Sequence, residues 1–60
     1  MKAGTIVKCV QSKVDWDITV GNIYVVQNSM TGGSVIVVTD DGTRLWYNAE
    51  RFEILIKPDD

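Results

Sequence analysis

Few residues in this chain are equipped for chemistry. It has no histidine and one cysteine, Cys9. Histidine is the side chain most used for proton transfer near neutral pH, and Cys/His sets make most zinc sites. Without it, neither a Ser-His nor a Cys-His pair can activate a nucleophile. The sequence contains no Gly-rich phosphate loop. Cys9 stands among apolar residues and is expected to be a small buried hydrophobe rather than a reactive thiol. The carboxylates come in pairs: Asp15 and Asp17 around Trp16, Asp40 beside Asp41, and Asp59 beside Asp60. A calcium loop needs six or more oxygens, and no such set is present. Turn formation accounts for Asp40 and Asp41, and a solvated tail for Asp59 and Asp60. The chain is therefore expected not to be an enzyme, with no catalytic residue, cofactor or metal.

The aromatic residues carry more information. In Leu45-Trp46-Tyr47, strand alternation puts Leu45 and Tyr47 on one face and Trp46 on the other. If Leu45 and Tyr47 face the core, Trp46 faces outward. Trp16 lies between two acids in a polar stretch, where full burial is difficult. Two readings of Trp16 stand open: part of an exposed interaction patch with Trp46, or a lid folded back on a small core. Asp15, Asp17, Glu50 and Arg51 would give the patch a charged rim, and Met30, beside Gly32 and Gly33, an adaptable contact at a loop tip.

The elements that must position these residues are strands. Thr5–Val10, Ile23–Gln27, Val35–Thr39, Thr43–Tyr47 and Glu53–Ile56 are rich in β-branched and aromatic residues. Between them lie a polar excursion over 11–19 with Trp16 as its large apolar member, a Gly-rich loop over 28–34, and a tight Asp41-Gly42 hairpin. Asn48–Phe52 is too short for an ordinary helix, and Asn48 is expected to cap a single 3₁₀ turn. The sequence thus predicts an all-β domain, a five-stranded small barrel with one 3₁₀ turn near 48–52, spanning residues 1–57 and followed by a short tail, 58–60.

Composition limits the roles open to such a domain. Sixty residues make one domain, and 45% hydrophobic with 23% charged residues is a globular balance. The net charge is −2 and the six cations are scattered, so nucleic-acid binding is disfavoured. No apolar run approaches a membrane span of about 20 residues. A lone cysteine excludes an internal disulfide, and Met1-Lys2-Ala3-Gly4 lacks the apolar run of a signal peptide, so a reducing cytoplasm is expected.

Three stretches resemble SH3-like domains: Ile18–Val26, Asp41-Gly42 and Trp46–Glu53. The connection order fits, with a long polar loop, a Gly-rich loop, a tight hairpin and a 3₁₀ turn. A closer resemblance is to very short SH3-like proteins of bacteriophages and prophages. It rests on Lys2–Val7, Thr19–Val26, Asp40-Asp41-Gly42 and Trp46–Glu53, with departures at Ile18 and Asn22. The Pro-rich-peptide groove of eukaryotic SH3 domains is not supported. Its Pro and Tyr positions correspond to Asn48 and Arg51, and Val35 and Ile36 stand where paired tryptophans are expected. The resemblance implies a phage-encoded module in a bacterial cytoplasm. There it would bind and modulate or inhibit a host protein, as a monomer or weak homodimer, through Trp16, Trp46, Asp15, Asp17, Glu50, Arg51 and Met30. The alternatives are a nucleic-acid-binding barrel, with stacking on the tryptophans, and a structural barrel that self-associates through its edge strands.

Overall fold

The apolar runs become strands. A computed structural model describes residues 1–58, with β1 at Ile6–Cys9, β2 at Ile23–Met30, β3 at Ser34–Val38, β4 at Arg44–Asn48 and β5 at Phe52–Ile56. A single 3₁₀ turn, Ala49–Arg51, joins β4 to β5. All neighbouring strands are antiparallel, in the order β4-β3-β2-β1-β5. Asp59 and Asp60, the predicted solvated tail, lie outside the described residues.

The core follows from alternation. On β3 and the first half of β2 every second side chain is buried: Tyr24, Val26, Val35 and Val37. Val26 stands opposite Val37, and Val35 opposite Tyr47. Val7, Cys9, Ile18 and Phe52 complete the cluster. Each such side chain stabilises the fold by roughly 1.5–3 kcal/mol when fully withdrawn from water. Cys9 is buried as expected, its thiol donating to the carbonyl of Gln11 at 3.3 Å.

The five strands and single 3₁₀ turn are as expected, and the sheet stays open. β4 and β5 are the two ends of the sheet and do not pair with each other. Side chains cross the gap instead: Tyr47 on β4 meets Phe52 on β5 edge to face, ring centroids 6.3 Å apart. The bend that brings the ends together lies in β2. Its register shifts between Val26 and Asn28, so its first half pairs with β1 and its second half with β3.

Other expectations shift. β2 runs on to Met30, so the predicted loop over 28–34 shrinks to Thr31–Gly33, and Met30 pairs with Ser34 rather than sitting at the tip. Cross-strand pairing overrides the weak strand propensity of Asn28 and Ser29. Asn48 stands before the 3₁₀ turn but makes no side-chain cap. The β3–β4 hairpin has a three-residue loop: Gly42 N–H donates to the Thr39 carbonyl at 3.0 Å, and Thr39 N–H to the Thr43 carbonyl at 2.7 Å. Gly42 adopts φ +87°, the left-handed geometry that closes such a loop. In the first excursion Ile18, at 2% exposure, is the deeply buried residue rather than Trp16.

Candidate functional site

The first loop and β4 meet in a shallow groove of about 250 Å³, lined by Asp15, Trp16, Asp17, Leu45, Trp46 and Tyr47. Four of the residues expected to form the patch, Trp16, Trp46, Asp15 and Asp17, are thereby brought together. The loop is held against the β3–β4 turn by main chain, since Asp40 N–H donates to the Asp17 carbonyl at 2.7 Å. Within the loop, Trp16 N–H donates to the Lys13 carbonyl at 3.0 Å, and the Ser12 hydroxyl to the Ile18 carbonyl at 2.6 Å.

The two tryptophans differ. Trp16 is half-buried and packs on the core, its ring 5.0 Å from Tyr47 and tilted by 50°. The guanidinium of Arg51 lies 4.9 Å from the Trp16 ring centre and the ammonium of Lys13 5.4 Å from it. Arg51 is steadied by donating to the Gln11 side-chain carbonyl at 3.0 Å. Trp46 is 63% exposed on the outer face, directly opposite Ile36 of β3. Of the two readings of Trp16, the lid describes it better. Trp46 is the exposed member of the pair.

Leu45 shares a strand face with Tyr47 by alternation, yet it is 41% exposed whereas Tyr47 is buried. β4 is an edge strand, and Leu45 sits where no further strand covers it. With Trp46 it forms a ridge, because the same pair also lines a second groove of about 300 Å³ with Gln27, Asn28, Ile36 and Arg44. Alternation alone could not find Leu45 as a surface residue; the signal is its position on the sheet edge. Glu50 and Met30 are exposed but line neither groove, so the predicted rim loses Glu50 and the patch loses Met30 as its adaptable contact. Arg51 reaches the site only through Trp16.

Asp40, expected to serve the turn, does something else. Its carboxylate accepts from the Tyr24 hydroxyl at 2.6 Å and from the Thr19 hydroxyl at 2.8 Å, while Tyr24 oxygen accepts from Thr19 N–H at 2.8 Å. The hydrogen bond from Tyr24, then that from Thr19, holds the Asp40 carboxyl below the usual carboxylate range. Burial, then the bond to Asp40, pushes the Tyr24 phenol up. Asp41 is the turn residue, accepting from the Thr39 hydroxyl and from Thr43 N–H, and those bonds lower its pKa. Tyr47 is pushed up by burial and then by the negative charges of Asp17, Asp41 and Asp40. Among the described residues, the carboxylates of Asp15 and Asp17 accept no hydrogen bond.

A larger cleft of about 470 Å³ lies between the N-terminal segment and the end of β5, lined by Met1, Lys2, Thr5, Ser29, Ile54, Lys57 and Pro58. None of the predicted site residues lines it. Among the described residues, no group of three or more His, Cys, Asp or Glu side chains is placed to hold a metal ion. Among the described residues, no helix is long and apolar enough to cross a membrane. Compared with protein-family models, with curated proteins and with solved structures, the chain finds no match in any of the three.

Proposed function

We propose that this chain is a non-catalytic protein-binding module, and that it anchors its partner on the Leu45–Trp46 ridge and the groove beside it. The observation that carries this is Trp46, an indole 63% exposed on a braced strand. Interface hot spots are enriched in Trp, Tyr and Arg set among groups that exclude water. Here Trp46 is flanked by Leu45, Tyr47 and Trp16, and the loop that brings Trp16 is tied down by the Asp40–Asp17 bond. The motif resemblance adds the setting: a phage-encoded protein in the bacterial cytoplasm, binding and modulating or inhibiting a host protein. The test is capture from bacterial lysate by the tagged wild type beside Trp46→Ala, with circular dichroism to establish that the variant is folded. Capture of a discrete protein by the wild type and its loss in the variant supports the reading. Equal capture by both refutes the anchor.

A second reading has one observation in its favour. Arg44 and Trp46 line the same outer groove, and a cation beside an exposed indole is also how single-stranded nucleic acid is held. The net charge of −2 opposes it. Affinity for an oligonucleotide that falls steeply with salt and depends on Arg44 would establish it.

A further inference from the structure

We infer that the groove beside Trp46 takes a cationic side chain from its partner, an arginine in preference to a lysine, with the indole beneath it and the carboxylates of Asp15 and Asp17 at its rim. This rests on the protein-binding reading above and names the chemistry of the partner.

A partner on this face must cover the acids as well as the indole. Asp15, Asp17 and Trp46 line one groove, so a surface that seats on the indole also covers the two acids. Neither carboxylate has a hydrogen-bond donor of its own among the described residues. Withdrawing an unpaired carboxylate from water is strongly unfavourable, so a purely apolar or acidic occupant is selected against. A cation removes that penalty and gains from the ring face. Tyr47 also lines the groove, and after burial its phenol is pushed up by the negative charges of Asp17, Asp41 and Asp40. Asp40 and Asp41 have their own hydrogen-bond donors, which leaves Asp15 and Asp17 to face the occupant.

The loop already shows this chemistry once. Trp16, flanked by the same two acids, has gathered Arg51 and Lys13 of its own chain at 4.9 and 5.4 Å. Among the described residues, no cation lies over the Trp46 ring, which stands more exposed. Arginine is favoured because its planar guanidinium stacks on an indole while its N–H fork reaches carboxylates, whereas an ammonium is a compact, strongly hydrated charge.

The test uses the full chain, labelled with ¹⁵N, and short acetylated, amidated peptides carrying a central arginine, lysine, citrulline or glutamate. The arginine peptide is expected to shift the Trp46 indole N–H and the amides of residues 15–17 in a saturable way. The citrulline peptide, equal in shape but uncharged, should bind about ten-fold more weakly. Asp15→Asn/Asp17→Asn should lose about as much for the arginine peptide while leaving citrulline binding unchanged. Equal binding of arginine and citrulline, preference for glutamate, or no shift at the groove at millimolar peptide overturns the inference. So do groove shifts that follow protein concentration alone, which would make a second copy the occupant. Lysate capture separates the two levels of the argument. A protein lost by Trp46→Ala but kept by Asp15→Asn/Asp17→Asn leaves the binding module standing and removes the cation.

Discussion

Replacing the two tryptophans one at a time should separate the fold from the surface. Complete truncation of a buried aromatic costs about 3–5 kcal/mol. Trp16 is half-buried, which reduces that to ~2 kcal/mol, and it also loses the tilted contact with Tyr47 and the cations of Arg51 and Lys13. An aromatic pair contributes ~1 kcal/mol and an exposed cation over a ring ~0.5 kcal/mol. Part of this overlaps with burial, so Trp16→Ala is expected to lose about 2–3 kcal/mol. A 60-residue domain has roughly 3–9 kcal/mol in all, so the loss is a large fraction and lowers Tm by about 10–20 °C. Trp46, 63% exposed on an edge strand, should cost about 0.5 kcal/mol or less when truncated. The assay is urea unfolding followed by far-UV circular dichroism. Trp16→Phe, which retains a ring against Tyr47, gives an intermediate value if Trp16→Ala does not fold. Trp46→Ala proving the more damaging of the two would refute the division of roles between them.

Four further outcomes are expected. Tyr24→Phe removes the donor to Asp40 and the acceptor for Thr19 N–H, so its urea midpoint should fall below wild type at neutral pH. Because the folded Asp40 pKa is depressed, its contribution is full above the unfolded carboxylate value of about 3.9 and is lost as pH falls through the folded value. The gap between Tyr24→Phe and wild type should therefore narrow in acid, and a gap independent of pH would count against the Tyr24–Asp40 bond. On the alkaline side the sign reverses. The folded phenols of Tyr24 and Tyr47 are raised, so stability is full below about pH 10 and falls as pH rises through the folded values; an alkaline urea series showing no loss would refute their burial. Cys9 is 0% exposed and its thiol is pushed up by burial, so an aromatic disulfide reagent should react only as fast as the domain opens. Immediate stoichiometric reaction in native buffer would place the thiol on the surface. Gly42→Ala meets open space but must hold φ +87°, so it should lose about 1–2 kcal/mol in the same urea assay.

Strand content was legible in the sequence because β-branched runs alternate cleanly. Tyr24 and Val26, Val35 and Val37 face inward as the period of two requires. The reach of β2 was not legible. Asn28-Ser29-Met30 has weak strand propensity, and pairing across to Ser34, Val35 and Ile36 holds it extended. How far the barrel closes was not legible for a related reason. Five strands can close on themselves, but whether the ends hydrogen-bond depends on register, and here Tyr47 and Phe52 fill the gap instead. At the site, the meeting of the first loop with β4 follows from the resemblance to SH3-like domains and not from any local signal in the residues. The exposure of Leu45 was not legible, because strand periodicity says which face a side chain takes and not whether anything covers that face. Asp40 shows the same limit: Asp-Asp-Gly signals a turn, but its bonds to Thr19 and Tyr24, 21 and 16 residues away in sequence, leave no local trace.

Four carboxylates stand around the first loop and the β3–β4 turn, and on the proposed reading their division sets what the surface would bind. Asp41 shapes the turn through Thr39 and Thr43. Asp40 locks Thr19 and Tyr24 to the same turn, and its N–H holds the carbonyl of Asp17. With those links made, the loop needs nothing from the side chains of Asp15 and Asp17, while Trp16 between them turns back onto Tyr47. Fold and surface are thus assigned residue by residue within a single tripeptide. The aromatic member serves stability, and the acids on either side stay exposed next to Trp46. An exposed indole alone would accept almost any apolar partner. An exposed indole beside two unpaired carboxylates discriminates, because a partner without a matching positive charge must strip water from both and receive nothing for it. On this account the selectivity of the surface lies in Asp15 and Asp17 and its adhesion in Trp46, so neutralising the acids should broaden what binds, whereas removing the indole should abolish binding.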